Sequence, residues 1–398
     1  MLKEKHIPFI LLSLIILYFS QGALYTSGSI ISQIALFLIL GISSIFFIKT
    51  LFTKNKELFY NAWSALLLIN VIGFTFTGSL ANTFHFGMFK GILISSLPFY
   101  PFYYFAKKGT LTSRHLIVLF LIMLPVSILQ FYYNKEQVLF NRISNNQDVV
   151  NNAAYMFVNL IPFLFLFKRR KIVSVVGMLI LIFFIIQGAK RGAMLVGSFG
   201  LVLFLFYQLR TIDKKHRLKG YAITLLGIIV MIYYTYGSFL ENEFLIKRME
   251  LLSEGGVSGR DIIYANIFNN WYNSDNLFNF LFGYGFAGSQ KLAYGSFAHN
   301  DWLELLSNFG ILGVSIYMIL FYSSFKLLRK SNWNPDKKII FTTVVSMWFL
   351  ITLFSMGYTS TDGYLRALLL AFLIGSKEKD LIRTKLKLEN ENCNIKYR

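Results

Sequence analysis

The chain has 398 residues, 55% of them hydrophobic and only 15% charged, with 42 Phe, 23 Tyr and a formal net charge of +20. A soluble chain of this length would form two or three domains with far more surface charge, so that class is excluded. Apolar runs of about 17–22 residues recur from end to end, each long enough to cross a bilayer, and the mean hydropathy is +0.55.

Taken in chain order, hydropathy and length predict an all-α, polytopic membrane protein with about twelve spans. They fall near Ile7–Ala23, Ile30–Ile48, Leu58–Phe76, Phe86–Ala106, His115–Tyr133 and Ala153–Phe167, then Ile172–Gln187, Ala193–Leu209, Tyr221–Phe239, Trp302–Phe325, Ile339–Met356 and Tyr364–Ile374. The first resembles a signal peptide. No small-residue cleavage site follows it and further spans do, so it reads as a retained helix. Residues 1–376 then form one membrane-embedded domain, and 377–398 a basic, solvated tail.

The loops alternate in charge. One set carries Lys49/Lys54/Lys56, Lys107/Lys108/Arg114, Lys168 through Lys171, Arg210 through Lys219 and Lys326 through Lys338, and both termini join it. By the positive-inside rule this side is cytoplasmic. It holds 29 of the 39 Lys and Arg and 8 of the 19 Asp and Glu, so it carries +21 and the other side −1. The basic excess is therefore a topology signal and an attraction to anionic lipid headgroups; it implies a lipid bilayer and no nucleic acid.

Most connections are short, but two on the outer side are long, about 134–152 and about 240–301. The second, between spans 9 and 10, is too apolar to be disordered. Ser258 or Gly259 could cap a helix starting at Arg260, where Ile263, Ile267 and Trp271 recur at i, i+4 and i+8 on one face. The expectation is a structured cap with an amphipathic helix at the interface.

Ten basic residues break the charge rule, among them Lys190 and Arg191 in the short turn Gln187–Gly192, Arg248, Arg260, and Arg366 near the outer end of the last span. Guanidinium groups grip phosphate oxygens bidentately, so these are candidate anion ligands. Taken singly, the plainer readings are a helix-start charge or a salt bridge with Asp261 or Glu254 for Arg260, and snorkelling to lipid phosphate for Lys190 and Arg191; together they describe a basic outer pocket. Of five histidines only His85 and His299 fall on the outer side, too few for a zinc centre. His299 follows Gly283-Tyr284-Gly285 and precedes Asn300 and an apolar helix. Leu303, Leu306 and Gly310 lie at +4, +7 and +11 and would share its helix face, placing a candidate general base at the bundle mouth; a hydrogen-bonded interfacial histidine is the plainer alternative. Gly310 and Gly313 read as close-packing positions. Glu241 and Glu243 could mimic a divalent-cation pair, although a solvated loop fits better. The lone Cys393 forms no internal disulfide.

The order of Arg260 with Trp271 downstream, Gly283-Tyr284-Gly285, His299-Asn300 and Gly310-Ile311-Leu312-Gly313 resembles the O-antigen ligase and polymerase family of bacterial envelope polysaccharide assembly. A Ser-Arg-Gly turn typical of that family corresponds to Lys190-Arg191-Gly192, where the serine is replaced. The resemblance covers about 187–322. It implies a metal- and cofactor-independent glycosyltransferase on the outer face of the cytoplasmic membrane. Its substrates would be an undecaprenyl-diphosphate-linked oligosaccharide and an acceptor glycan. His299 would be the catalytic base, with Arg191, Arg260, Lys190 and Arg248 on the diphosphate; Asn300 and Arg366 complete the candidate set. A chain-length regulator is a candidate partner. Repeat-unit polymerisation is preferred over ligation to a lipid A core. Readings of another kind are a lipid-linked oligosaccharide flippase, although paired repeats are absent, and a metal-dependent transferase using Glu241 and Glu243.

Overall fold

The computed structural model describes residues 6–24, 29–53, 57–145, 151–168, 170–211, 260–330 and 333–396, with isolated positions at 218, 222, 229 and 233. The described residues are 83% helical, with no strand among them. The helices are α1 (Ile7–Leu24), α2 (Ile30–Leu51), α3 (Leu58–Thr77), α4 (Thr83–Ser96), α5 (Phe99–Lys108), α6 (Ser113–Asn145), α7 (Ala154–Leu160), α8 (Lys171–Gln187) and α9 (Arg191–Thr211). After the gap come α10 (Arg260–Tyr272), α11 (Leu277–Phe282), α12 (Gly288–Leu292), α13 (Asp301–Arg329), α14 (Pro335–Phe354) and α15 (Gly363–Lys396). Among the described residues six helices are long and apolar enough to cross a membrane: α2, α3, the first 24 residues of α6, α9, α13 and α14. This is an all-helical membrane protein.

Several expected spans take a different form. The run Phe86–Ala106 is two helices, broken where Pro98 follows Leu97, because proline has no N–H to donate and crowds the preceding turn. The run Ala153–Phe167 is the two-turn α7 followed by a 3₁₀ segment, Ile161–Leu166, with Pro162 in its first turn. The expected loop at 134–152 is shortened, since α6 continues to Asn145. The basic tail is helical through Lys396 rather than irregular, and ion pairs Lys337–Asp380 (2.7 Å) and Lys107–Glu378 (2.8 Å) fasten its start to the bundle. The expected span Tyr221–Phe239 lies outside the described residues.

Helix α13 is the axis. It packs against α3 and α14, while α10, α11 and α12 gather around its first turns, and α15 packs on α5 and α4. Between these helices runs an aromatic column: Trp63 stacks on Phe99 at 5.0 Å and meets Trp348 edge-on at 5.7 Å, and Trp348 lies 4.7 Å from Phe321. With little hydrophobic drive between helices in lipid, such packing and small residues hold a bundle together. A Cβ at Gly375 would stand 2.5 Å from the Tyr103 carbonyl oxygen, which is why α15 and α5 approach so closely.

Helix α13 is not continuous. Gly310 has φ 58 and ψ −149, and a Cβ there would stand 2.6 Å from the carbonyl groups of Phe280 and Leu281. Close packing is therefore only part of its role. It breaks the helix and lets the backbone of α11 enter the break, a backbone state that glycine reaches without strain.

Candidate functional site

The start of α13 is fixed by Asn300. Its Oδ1 accepts from the N–H of Trp302 (2.9 Å) and of Leu303 (3.1 Å), capping the helix. Its Nδ2 donates to the Leu353 carbonyl at 3.1 Å. One residue earlier the chain turns through a left-handed position, His299 with φ 51. His299 therefore precedes the helix, and the expected helix face shared with Leu303, Leu306 and Gly310 does not form. Leu303 and Leu306 instead pack on Ile267, Trp271, Leu292 and Ala298 in a small core under α10 and α12. The expected face of α10 is present in that core, with Ile267 and Trp271 buried and Ile263 packed beside them.

The C-terminal end of α14 is where the candidate residues meet. Its last carbonyls have no helical acceptor role left to fill and carry the negative end of the helix dipole. Leu353 accepts from Asn300, and Phe354 accepts from Arg260 Nη1 at 3.1 Å. Gly192, next to Arg191, lies so close that its Cβ would be 3.0 Å from Phe354 Cβ. Lys190 bonds to Asn152 Oδ1 and holds its ammonium 5.0 Å above the Tyr155 ring. Arg191 begins α9, half-buried. The His299 ring keeps open surface, yet it is crowded enough that desolvation, then the charges of Arg260 and Lys190, hold its pKa below the ordinary histidine range. The imidazole is thus neutral at neutral pH and sits beside positive charge.

The structure brings together Lys190, Arg191, Arg260, His299 and Asn300. Arg366 lies deeper. It is 5% exposed, donates to the Gly357 carbonyl at 2.9 Å and stacks its guanidinium 4.9 Å from the Trp348 ring. Arg248, Glu241, Glu243, Glu254 and the capping positions Ser258 and Gly259 lie outside the described residues.

Beneath the basic cluster is a polar layer that the candidate set did not include. Asp301, Glu304 and Asn308 are fully buried on α13. Asp301 accepts from the Tyr317 hydroxyl (2.7 Å) and the Tyr358 N–H (3.4 Å). Glu304 accepts from the Ser289 hydroxyl (2.8 Å) and the Ala298 N–H (3.1 Å). Asn308 accepts from the Gly288 N–H (2.7 Å) and donates to the Tyr358 hydroxyl (3.3 Å). Their spacing of three and four residues on an apolar helix was the available signal. Asp362, half-buried in the loop before α15, was also missed. Burial pushes its carboxyl up to about 6, against the pull of Lys190 and then Arg366. Among the described residues no group of three His, Cys, Asp or Glu is placed to hold a metal ion. No protein-family model matches the chain, and no curated protein matches it.

The arrangement offers one neutral base, several fixed cations around it, and a rigid floor. Chemically this suits transfer from a donor with an anionic leaving group to a hydroxyl: cations hold the departing charge, and the imidazole accepts the hydroxyl proton.

Proposed function

We propose that the chain is a glycosyltransferase that moves an undecaprenyl-diphosphate-linked oligosaccharide onto an acceptor sugar hydroxyl, polymerising surface-polysaccharide repeat units. The observation that carries this reading is the neutral His299 beside Arg260 and Lys190 at the end of α14. In the reaction the acceptor oxygen bonds to the anomeric carbon, the bond from that carbon to the diphosphate breaks, and the hydroxyl proton passes to His299. The diphosphate leaves with an added negative charge, balanced by Arg191, Arg260 and Lys190. The clamp also tunes the base. Cations depress the imidazole pKa in the free protein, and a bound diphosphate offsets them, so basicity rises as the substrate arrives.

This reading includes the finer topology: about twelve spans, both termini cytoplasmic, and the loop at about 240–301 as a cap over an outward-facing site. Asn300 places the base by capping α13, and the buried Arg366 braces the 355–362 loop below it. Purified protein given lipid-linked oligosaccharide alone is expected to yield a ladder of longer chains. Product only after a lipid A core is added would make the protein a ligase, and no product in either case would remove the transferase reading.

A further inference from the structure

A groove of about 810 Å³ runs along the other flank of α13, between α3 and α11. Its size is that of a small-molecule site, but its walls are almost wholly apolar, including Leu68, Ile72, Phe76 and Leu312, which are 37%, 53%, 82% and 41% exposed. The lining follows α3 from Ala65 to Thr77, about 18 Å of helix. One leaflet of a bilayer is about 15 Å of hydrocarbon. The groove therefore runs from the middle of the bundle to one end of α3, the length of a single leaflet. At that end the lining turns polar: Thr77, the Gly283–Gly285 backbone and Lys291. The Lys291 ammonium has three donors and gives one to the Tyr284 carbonyl at 2.8 Å. An apolar channel one leaflet long, closed by a cation at headgroup level, matches a lipid chain with a phosphate head.

Its position separates it from the diphosphate clamp. Asn308 lines the groove, and from there Tyr358 and Asp301 form the buried layer beneath the α14 end, where Arg260 and Asn300 bind carbonyls. A lipid seated on α3 ends its head at Lys291, and one held by Arg191 and Arg260 ends its head at Phe354. The first head lies where Tyr284 and Gly285 bond to the Ser307 and Asn308 carbonyls of α13, and the second where Asn300 starts that helix, beside His299. We infer that the groove holds the polyprenyl chain of the acceptor, which is itself a polyprenyl-diphosphate-linked glycan. This rests on the transferase reading and deepens it, because a lipid-linked acceptor is what chain polymerisation requires.

The test uses the full chain in nanodiscs of zwitterionic lipid and a polyprenyl diphosphate bearing a diazirine on an isoprene unit close to its diphosphate. Peptides of α3 and α13 around Ile72 and Leu312 should be labelled. Undecaprenyl diphosphate should compete at least fivefold better than phosphatidylglycerol. Ile72→Trp and Leu312→Trp, which fill the groove from its lipid side, should each cut this labelling at least fivefold, and Lys291→Glu should weaken it. The double variant R191A/R260A should leave it unchanged. Equal competition by phosphatidylglycerol would make the groove an ordinary lipid site and overturn the proposal. Loss of labelling in R191A/R260A would assign the chain to the donor and overturn it also. Labelling in a protein that forms no polymer would remove the transferase function and, with it, the acceptor role. Polymer formation without groove labelling would remove the groove alone.

Discussion

His299 occupies backbone that L-residues adopt rarely, φ 51, immediately before a capped helix. Such positions are retained where the surrounding structure enforces them, and they cluster at working sites. Histidine replaced by glutamine keeps the polar bulk but loses the proton acceptor, so turnover should fall by about 10²–10⁴ while donor binding is retained. The pH profile carries a sharper expectation. A base must be unprotonated, so activity is present above its pKa and lost as pH falls through it. In the free protein desolvation, Arg260 and Lys190 lower that pKa. The acid limb of kcat/KM should therefore lie at lower pH than that of kcat, where bound diphosphate offsets the cations. Arg260→Ala should move the limb of kcat/KM upward; an unmoved limb would detach Arg260 from the base. His299, Arg260 and the Lys190-Arg191 turn were legible because they fall among loops whose charges sum to near zero, where a basic residue stands out. Asp301 and Asp362 were not, since an acid beside a polar loop reads as solvated until folding shows what covers it.

At the scale of elements, two helix ends and one break shape the site. Asn300 ties α13 to α14 through both its cap and the Leu353 carbonyl. Asn300→Ala should cost about 1 kcal/mol for the lost cap, visible as a lowered Tm in detergent, and should impair turnover beyond that by freeing His299. Gly310 is the break. Alanine there would occupy a positive-φ, extended-ψ state that is nearly confined to glycine and costs about 1–3 kcal/mol, and would drive its Cβ into the Phe280 and Leu281 carbonyls. Gly310→Ala should accordingly lower Tm more than Gly313→Ala, where the crowding comes chiefly from the Phe309 side chain and the Leu305 carbonyl of the same helix. Hydropathy found most helices within a few residues because lipid-facing periodicity and length are strong signals. It merged α4 with α5 and overlooked the 3₁₀ stretch because Pro98 and Pro162 sit in runs that are uniformly apolar. A local backbone choice does not change a hydropathy average.

At the scale of the molecule, cationic ends and an apolar middle imply a fixed orientation in the bilayer. With Cys393 replaced by serine, a Tyr294→Cys variant should react with a membrane-impermeant maleimide in intact cells, while the native Cys393 should react only after permeabilisation. The opposite pattern would invert the topology and move the site to the cytoplasm. Tyr294 is a fair reporter, being 84% exposed in the turn between α12 and α13. The bundle gives the start of α13 to a basic cluster and its later turns to an apolar groove, an asymmetry no single motif revealed because its parts come from α3, α9, α11 and α14. The central claim is that His299 takes the acceptor proton in a transfer from lipid-linked oligosaccharide. The most direct measurement is single-turnover chain extension by purified wild-type and His299→Gln proteins at saturating lipid-linked oligosaccharide. The account predicts extension by the wild type and a loss of about a hundredfold or more in the variant with donor affinity unchanged. Extension by the variant within a few-fold of wild type would contradict it.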